Sequence, residues 1–171
     1  MTETTASPTG ATAYKERRYG VATHAELAPL TGLEMLEAVR DGRLPAPPIS
    51  QALGFDLVAV EAGRAVFEGE TGAHLLNPAG TVHGDWALTL IDSAAACAAH
   101  SALPVGQVQT TVETKANFTR PILVDTGRVR CEAWIVSQGR TLITTEARVT
   151  GPDGRILAHG TSTLMVLKPG G

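Results

Sequence analysis

The apolar positions of the chain change their period several times, and each change predicts a different element. From Ala25 to Arg40, leucines and other apolar residues recur about every three positions, which predicts one amphipathic helix or two before the Asp41-Gly42 turn. The stretch GFDLVAVEAGRAVFEGE predicts two strands joined at Glu61-Ala62-Gly63, and residues 71–82 are predicted to be loop.

A second helix is predicted from about Gly84 to Ser101, and it is rich in alanine and apolar nearly all round. Such a helix is usually buried on most of its sides. After it, VQTTVETKANF alternates with period two, and turn signals at Gln138-Gly139 and in GPDG at 151–154 separate three more strands. This order predicts an α+β fold in which an antiparallel sheet wraps around one long central helix.

Three segments are expected along the chain. Residues 1–20 are rich in Thr, Ser, Ala and Gly and are predicted to be flexible. Residues 21–48 form an N-terminal helical extension, which adds a helix to the fold, and residues 49–171 form the main domain.

Composition and charge narrow the function classes. The chain has 171 residues, is 43% hydrophobic and carries a net charge of −3, which suits one globular domain without a basic surface for nucleic acid or anionic membrane. No secretory signal and no apolar run of about 20 residues is present, so a cytoplasmic protein is expected. Its two cysteines form no disulfide framework and no CxxC motif.

Asp92 is the first candidate for chemistry, because it interrupts the apolar central helix. Its helical neighbours at three and four positions include no basic residue, so no ion pair within the helix can balance it. An unpaired buried charge is costly, so Asp92 must either find donors on a neighbouring strand or face a cavity. The first alternative is structural, and the second suits a general base or a nucleophile.

His83 and Gly84 stand where this helix should begin. Backbone N–H groups and the positive end of the helix dipole are exposed there, and a glycine lets a ligand carbonyl come close. The pair therefore predicts either an oxyanion site made of backbone or an ordinary helix start. Asp85, in the first turn, suits the dipole.

Two further candidates lie outside the helix. Asn77 belongs to a proline-containing loop, where turn formation is the simpler interpretation. Strict alternation places Thr111 on the polar face of its strand, with Glu113 and Lys115, and places Thr114 on the opposite face. The histidines show no metal-binding spacing, and neither a phosphate-binding glycine loop nor GxSxG is present, so no metal and no cofactor are expected.

Taken together, these residues resemble the hotdog-fold acyl-CoA thioesterases of the phenylacetate-degradation (PaaI) type. The resemblance covers roughly residues 50–168 and centres on N-x5-HG-x8-D, met by Asn77, His83, Gly84 and Asp92. The segments NFTRP, QGRT and AHGTSTLMV are similar to the same family.

The resemblance implies a role for each matching residue. Asp92 would activate water or attack the thioester, and the Gly84 N–H, helped by Asn77, would polarise the thioester carbonyl. His83 would shape the loop, and Thr111, supplied by the partner subunit, would help to hold the water. Asp85 replaces a glycine that is usual in the family and would lie on the substrate side.

The resemblance also implies partners and a substrate. It predicts a homodimer or homotetramer with active sites at the dimer interface, and an aryl- or medium-chain acyl-CoA as substrate. Lys115, Arg120 and Arg140 are candidates for the CoA phosphates. The alanines after Asp92 are expected to leave room for the acyl group. A non-catalytic acyl-CoA sensor remains an alternative, as does a hydratase or dehydratase, whose HFPxxPxxPG motif is missing.

Overall fold

The computed structural model describes residues 17–167, and three helices precede the sheet. Their bounds are α1 (His24–Leu27), α2 (Gly32–Arg40) and α3 (Pro48–Leu53). The amphipathic stretch thus forms two helices, and each begins with a capping box, built by Thr23 with Glu26 and by Thr31 with Glu34. The helix α3 was not predicted; it begins with a proline at its first position, where the missing N–H costs nothing.

The rest of the chain forms six strands and one long helix. Their bounds are β1 (Phe55–Glu61), β2 (Arg64–Glu70), α4 (Gly84–His100), β3 (Val108–Phe118), β4 (Arg128–Gln138), β5 (Leu142–Thr150) and β6 (Ile156–Leu167). The strands pair in the order β1-β2-β4-β5-β6-β3, and every pair is antiparallel. The predicted hairpin at Glu61-Ala62-Gly63 is confirmed, since Glu61 pairs with Arg64.

The long helix α4 packs on one face of this sheet and contacts all six strands. Its core-facing residues recur in pairs, as expected for a helix with a wide apolar face, and include Ala87, Leu90, Ile91, Ala94 and Ala98. The predicted α+β architecture, a sheet wrapped around one central helix with extra N-terminal helices, is confirmed. No helix within residues 17–167 is long and apolar enough to cross a membrane.

The helix α2 packs against this core through a close backbone contact. A Cβ atom at Gly32, the first residue of α2, would lie 1.7 Å from the carbonyl oxygen of His100 at the end of α4. The Gly32 N–H also donates to the Leu103 carbonyl at 3.0 Å. Only glycine therefore allows α2 to dock against the end of the central helix.

Residues 1–16 of the predicted flexible segment lie outside the described residues, whereas residues 17–20 contact both the helical extension and the main domain. Tyr19 forms a parallel bridge with Ala46, and Arg17 Nη1 lies 2.7 Å from Asp56 Oδ1 on β1. The boundary between the helical extension and the main domain, set at residues 48 and 49, falls at the start of α3 and stays a prediction.

Candidate active site

The first part of the site is the start of α4. His83 caps the helix, because its side-chain Nδ1 accepts a hydrogen bond from the Asp85 backbone N–H at 3.2 Å. The backbone N–H of His83 donates to the Leu75 carbonyl. Because Nδ1 acts as an acceptor there, the 3.5 Å contact between Nδ1 and the Asp85 carboxylate is not an ion pair in this arrangement. His83 therefore holds the loop and the helix together, which fits its predicted role of shaping the loop.

Gly84 is the first residue of α4, and its N–H finds no acceptor among residues 17–167. The first N–H groups of a helix have no partner within the helix, and the dipole makes this end partly positive. A Cβ atom at Gly84 would lie 3.2 Å from the Phe118 ring, so a larger residue would crowd this ring. The free amide can donate to a ligand oxygen, as an oxyanion site requires.

Asn77 is largely occupied by its own loop. Its Oδ1 accepts the Ala79 N–H at 2.9 Å and the Thr81 N–H at 3.3 Å, and its Nδ2 donates to the Thr81 hydroxyl at 2.9 Å. These bonds form a side-chain turn, which is a structural role. An amide nitrogen carries two hydrogens, so one remains for a ligand.

Asp92 lies two turns further along α4, and its contacts are all with neutral groups. Its Oδ1 accepts hydrogen bonds from the hydroxyls of Thr111 and Thr114, each at 3.0 Å. Its Oδ2 accepts none from the part of the chain that the structure describes, and no cation contacts it there. The carboxylate is thus oriented by two donors while one oxygen stays available.

The expectation that a partner subunit supplies Thr111 to a site stays a prediction, but within the structure Thr111 reaches Asp92 from the same chain. The reason is the sheet order: β3 is the strand next to this side of α4, so one chain brings both residues together.

Thr114 is a site residue that sequence reasoning missed. The pairing of β3 with β6 shifts between Thr111 and Glu113, which marks a β-bulge. A bulge inserts one residue and reverses the alternation, so Thr111 and Thr114 point to the same side although they are an odd number of residues apart. The prediction that they occupy opposite faces was therefore wrong, and no local sequence signal reveals the bulge.

A second layer of hydroxyls lies behind Thr114. Its Oγ1 is 2.9 Å from the Ser162 Oγ, which also lies 3.0 Å from the Glu113 carbonyl oxygen. Two hydroxyls carry only two hydrogens, so with Thr114 donating to Asp92, Ser162 donates either to Thr114 or to Glu113. Ser162 is buried, and it holds Thr114 in place for its bond to Asp92.

The two parts of the site are far apart within one chain. Gly84 and Asp92 are eight residues apart on α4, which at 1.5 Å per residue separates them by about 12 Å along the axis. A single thioester carbonyl cannot lie within hydrogen-bond distance of both groups of the same chain.

The strand β3 offers a surface on which a second chain could complete the site. It is an edge of the sheet, and Val112 and Phe118 are 59% and 55% exposed there. A long edge strand with exposed apolar side chains is a template for pairing with another chain. On the same strand, the Oε1 of Gln109 is buried and has no partner within the described residues.

The structure disagrees with the idea that the alanines after Asp92 make room for an acyl group. Ala94, Ala95, Ala98 and Ala99 are all buried against the sheet. Their small size lets the helix approach the strands closely, so it does not widen a cleft.

The remaining candidates lie on the surface. Arg120 Nη1 donates to the Ile156 carbonyl at 2.8 Å, and Arg120 shares a groove with Arg155, which was not among the candidates. Arg140 and Lys115 are exposed, and neither forms an ion pair within residues 17–167. Asp85, with an 80% exposed side chain, lies beside His83. No group of three or more potential metal ligands occurs in that range.

The match to a protein family covers the central part of the candidate site. The model of the Thioesterase superfamily matches residues 79–158, which include Gly84, Asp92, Thr111 and Thr114. No curated protein matches the chain.

Solved structures are similar to most of the chain. A mutant of the phenylacetic acid degradation protein PaaI from Thermus thermophilus is 30% identical, with a TM-score of 0.63, over 69% of this chain and 97% of that one. A conserved protein from Pseudomonas aeruginosa is 32% identical, with a TM-score of 0.65, over 70% and 93%. A putative thioesterase related to phenylacetic acid degradation from Ralstonia eutropha is 26% identical, with a TM-score of 0.69, over 76% and 98%.

Proposed function

The chain belongs to the hotdog-fold thioesterase superfamily and is of the PaaI type, and from this premise we propose that it hydrolyses an acyl-CoA thioester to the free acid and CoA. The proposal rests on the surroundings of the Asp92 carboxylate. Two hydroxyls donate to it, no cation among the described residues contacts it, and one of its oxygens stays available. A thioester carbonyl is already electrophilic, so one carboxylate and one oxyanion donor suffice.

In the proposed reaction, Asp92 acts through its Oδ2, the oxygen that accepts no hydrogen bond within residues 17–167. In one route, Asp92 takes a proton from a water molecule, whose oxygen then attacks the thioester carbonyl carbon. In the other route, Asp92 Oδ2 attacks this carbon directly. In both routes negative charge develops on the carbonyl oxygen, where the Gly84 N–H and the positive end of α4 stabilise it. The bond to sulfur then breaks, and CoA leaves as the thiol with the proton that Asp92 took from water. Where Asp92 itself attacked, water then hydrolyses the acyl-aspartyl anhydride, which restores the carboxylate, releases the free acid and supplies the proton for the CoA thiolate.

The proposed site combines two chains. The Gly84 amide of one protomer and the Asp92 carboxylate of its partner would face the same thioester, because about 12 Å separates these residues within one helix. The exposed edge of β3 supports a homodimer built around this site. Pairing of such dimers into a tetramer is part of the same proposal.

We further propose which class of acyl group the protein accepts and which residues contact CoA. An aryl or medium-chain acyl group is supported by the similarity to proteins of phenylacetic acid degradation. Arg120 and Arg140 are proposed to contact the CoA phosphates, and Arg140 is not engaged in any ion pair within the described residues. Asp85 is proposed to lie beside the bound substrate.

Thiol release from acetyl-, hexanoyl-, palmitoyl-, phenylacetyl- and hydroxybenzoyl-CoA tests the activity. We expect a clear rate with an aryl or medium-chain thioester. Absence of release from all five, with CoA still bound, would contradict hydrolysis and favour the acyl-CoA sensor.

Gly84→Pro tests the oxyanion donor, because proline is tolerated at the first position of a helix and lacks the N–H. Loss of one such donor lowers kcat by about 10²–10³-fold. Gly84→Ala is the matched control, since it adds a Cβ against Phe118 but keeps the N–H. Equal losses in the two variants would show that crowding, and not the amide, is responsible.

Mixing two inactive variants tests the two-chain site. In a dimer of one Gly84→Pro chain and one Asp92→Asn chain, one of the two sites combines an intact amide with an intact carboxylate. We expect an equal mixture, after subunit exchange, to recover about a quarter of the native rate. If the mixture stays inactive while mixed dimers form, each site lies within one chain.

A further inference from the structure

A largely apolar cavity lies between the N-terminal helices and the sheet, away from Asp92. Its volume is ≈ 290 Å³, and its apolar lining includes Met35 and Val39 of α2, Leu57 of β1, Phe67 of β2 and Cys97 of α4. Protein interiors are close-packed and hold few voids larger than a water molecule. An apolar cavity of about 150 Å³ is already large enough to bind benzene. This one would therefore accept a substituted aromatic ring.

The lining of the cavity includes neither Gly84 nor Asp92, although both the cavity and the proposed thioester site touch α4. Cys97 follows Asp92 by five residues, which turns its side chain about 140° around the helix axis. Asp92 faces the threonines of β3, at one edge of the sheet, whereas Cys97 faces α2, β1 and β2, at the other edge.

One end of the cavity is polar and holds an ion pair. Arg17 Nη1 lies 2.7 Å from Asp56 Oδ1, and Arg17 Nη2 donates to the Arg40 carbonyl at 2.7 Å. Both charged residues line the cavity, and Asp56 is only 4% exposed. Its Oδ2 accepts no hydrogen bond within residues 17–167, so this oxygen is available to a donor on a ligand.

The cysteine in the cavity is part of its apolar wall. Burial, and secondarily the charge of Asp92, raises the pKa of the Cys97 thiol to about 12. A thiol that stays protonated at neutral pH is a poor nucleophile, so a ligand here would be held without a covalent bond.

We propose that this cavity is a second binding site, which takes an uncharged aryl group carrying a hydrogen-bond donor, such as a phenol. The ring fills the apolar part beside Phe67 and Val39, and the hydroxyl donates to Asp56 Oδ2. A carboxylate at the same position would meet the Asp56 charge in a poorly hydrated place, which is unfavourable. The charge thus selects neutral ligands.

Such a group has two sources, a free phenolic molecule or the aryl acyl group of a thioester, and the experiment separates them. Binding to the full chain is measured by calorimetry at pH 7 with 4-ethylphenol, ethylbenzene and 4-ethylbenzoate, which have the same size but different head groups. We expect saturable binding of the phenol, weaker binding of ethylbenzene, and at least tenfold weaker binding of the benzoate.

Four variants locate the binding. Val39→Phe and Cys97→Met fill the cavity and are expected to abolish phenol binding, whereas Val124→Phe, at an exposed position outside the lining, is the matched control and retains it. Asp56→Asn frees Arg17 and is expected to reverse the preference, so that the benzoate binds more tightly than the phenol. No phenol binding by the native chain, or binding unchanged in both filled variants, would overturn the proposal.

Hydrolysis rates of the Val39→Phe and Cys97→Met variants show whether the bound aryl group is a free molecule or the acyl group of a thioester. If hydroxybenzoyl-CoA hydrolysis slows while acetyl-CoA hydrolysis does not, the occupant is the acyl group. If phenol binding is lost and both rates stay native, the occupant is a free molecule. The binding measurements stand even if the chain hydrolyses none of these thioesters, so failure of the proposed function would not be mistaken for failure of this site.

Discussion

Two carboxylates of this protein lie on opposite sides of α4, and their surroundings differ. Asp56 has a cation, since Arg17 lies 2.7 Å away. Asp92 has none within the described residues and is held by the hydroxyls of Thr111 and Thr114. Burial nevertheless raises the pKa of Asp56, and Arg17 only partly opposes this shift.

Under the proposed function, the reactive carboxylate is the one without an ion pair. A cation beside a carboxylate reduces its basicity and occupies an oxygen, which suits a structural contact. Hydroxyls orient a carboxylate without neutralising it, which suits a group that must take a proton or attack a carbon. The predictions below separate a functional from a structural carboxylate.

The largest expected effect is on turnover, in the pair Asp92→Asn and Asp56→Asn. Asp92→Asn removes the base or nucleophile and should lower kcat for the best acyl-CoA by about 10²–10⁴-fold, the range for loss of such a group. Asp56→Asn should keep a near-native rate with hexanoyl-CoA, because that acyl group carries no phenol that could donate to Asp56. Thiol release and far-UV circular dichroism on both variants are the measurements; similar rates in the two would remove Asp92 from its assigned role.

The next effect is on stability, in Arg17→Met. This change leaves Asp56 buried without its cation, which costs about 3 kcal/mol of the free energy of unfolding at pH 7. The double variant Arg17→Met/Asp56→Asn is the control and should regain most of the loss, because no unpaired charge remains. Urea unfolding of the native chain and the two variants measures the loss, and a double variant as unstable as Arg17→Met alone would contradict this explanation.

The pH dependence of this loss has a definite sign. The pKa of Asp56 in the folded protein lies above its ordinary value of 3.8, because burial disfavours the charged form. The folded state therefore binds the proton more tightly than the unfolded state, and stability falls as the pH rises from 3.8 through the raised pKa. Removal of Arg17 raises this pKa further, so the destabilisation of Arg17→Met should be largest at neutral pH and should shrink towards pH 4.

The smallest effect concerns the hydroxyls around Asp92. Thr114→Val keeps the shape but removes one donor to the carboxylate, and we expect kcat to fall by about tenfold with little change in KM, since a hydrogen bond to a charged group contributes about 1.5–3 kcal/mol. Thr111→Val should cost less, because Thr111 is exposed and water can replace its hydroxyl. A larger effect of Thr111→Val would show that Thr111 acts on the substrate or the attacking water.

Several features of this protein were determined by the sequence alone. Period-two and helical patterns predicted the hairpin of β1 and β2, the buried helix α4 and the later strands, because local periodicity reports which faces are buried. The lack of a basic neighbour on the helix marked Asp92, and the HG pair marked the free amide of Gly84. The helix α3 was not predicted, because the prolines at its start were interpreted as the end of the preceding helix.

Only the tertiary structure decided what surrounds each carboxylate. Asp56 reads as an ordinary polar position of a strand, and its partner Arg17 is 39 residues away in the chain. Thr114 joins Asp92 because of one bulge in β3, which reverses the faces of that strand. Contacts between residues distant in sequence depend on register and packing, which a periodic pattern does not encode.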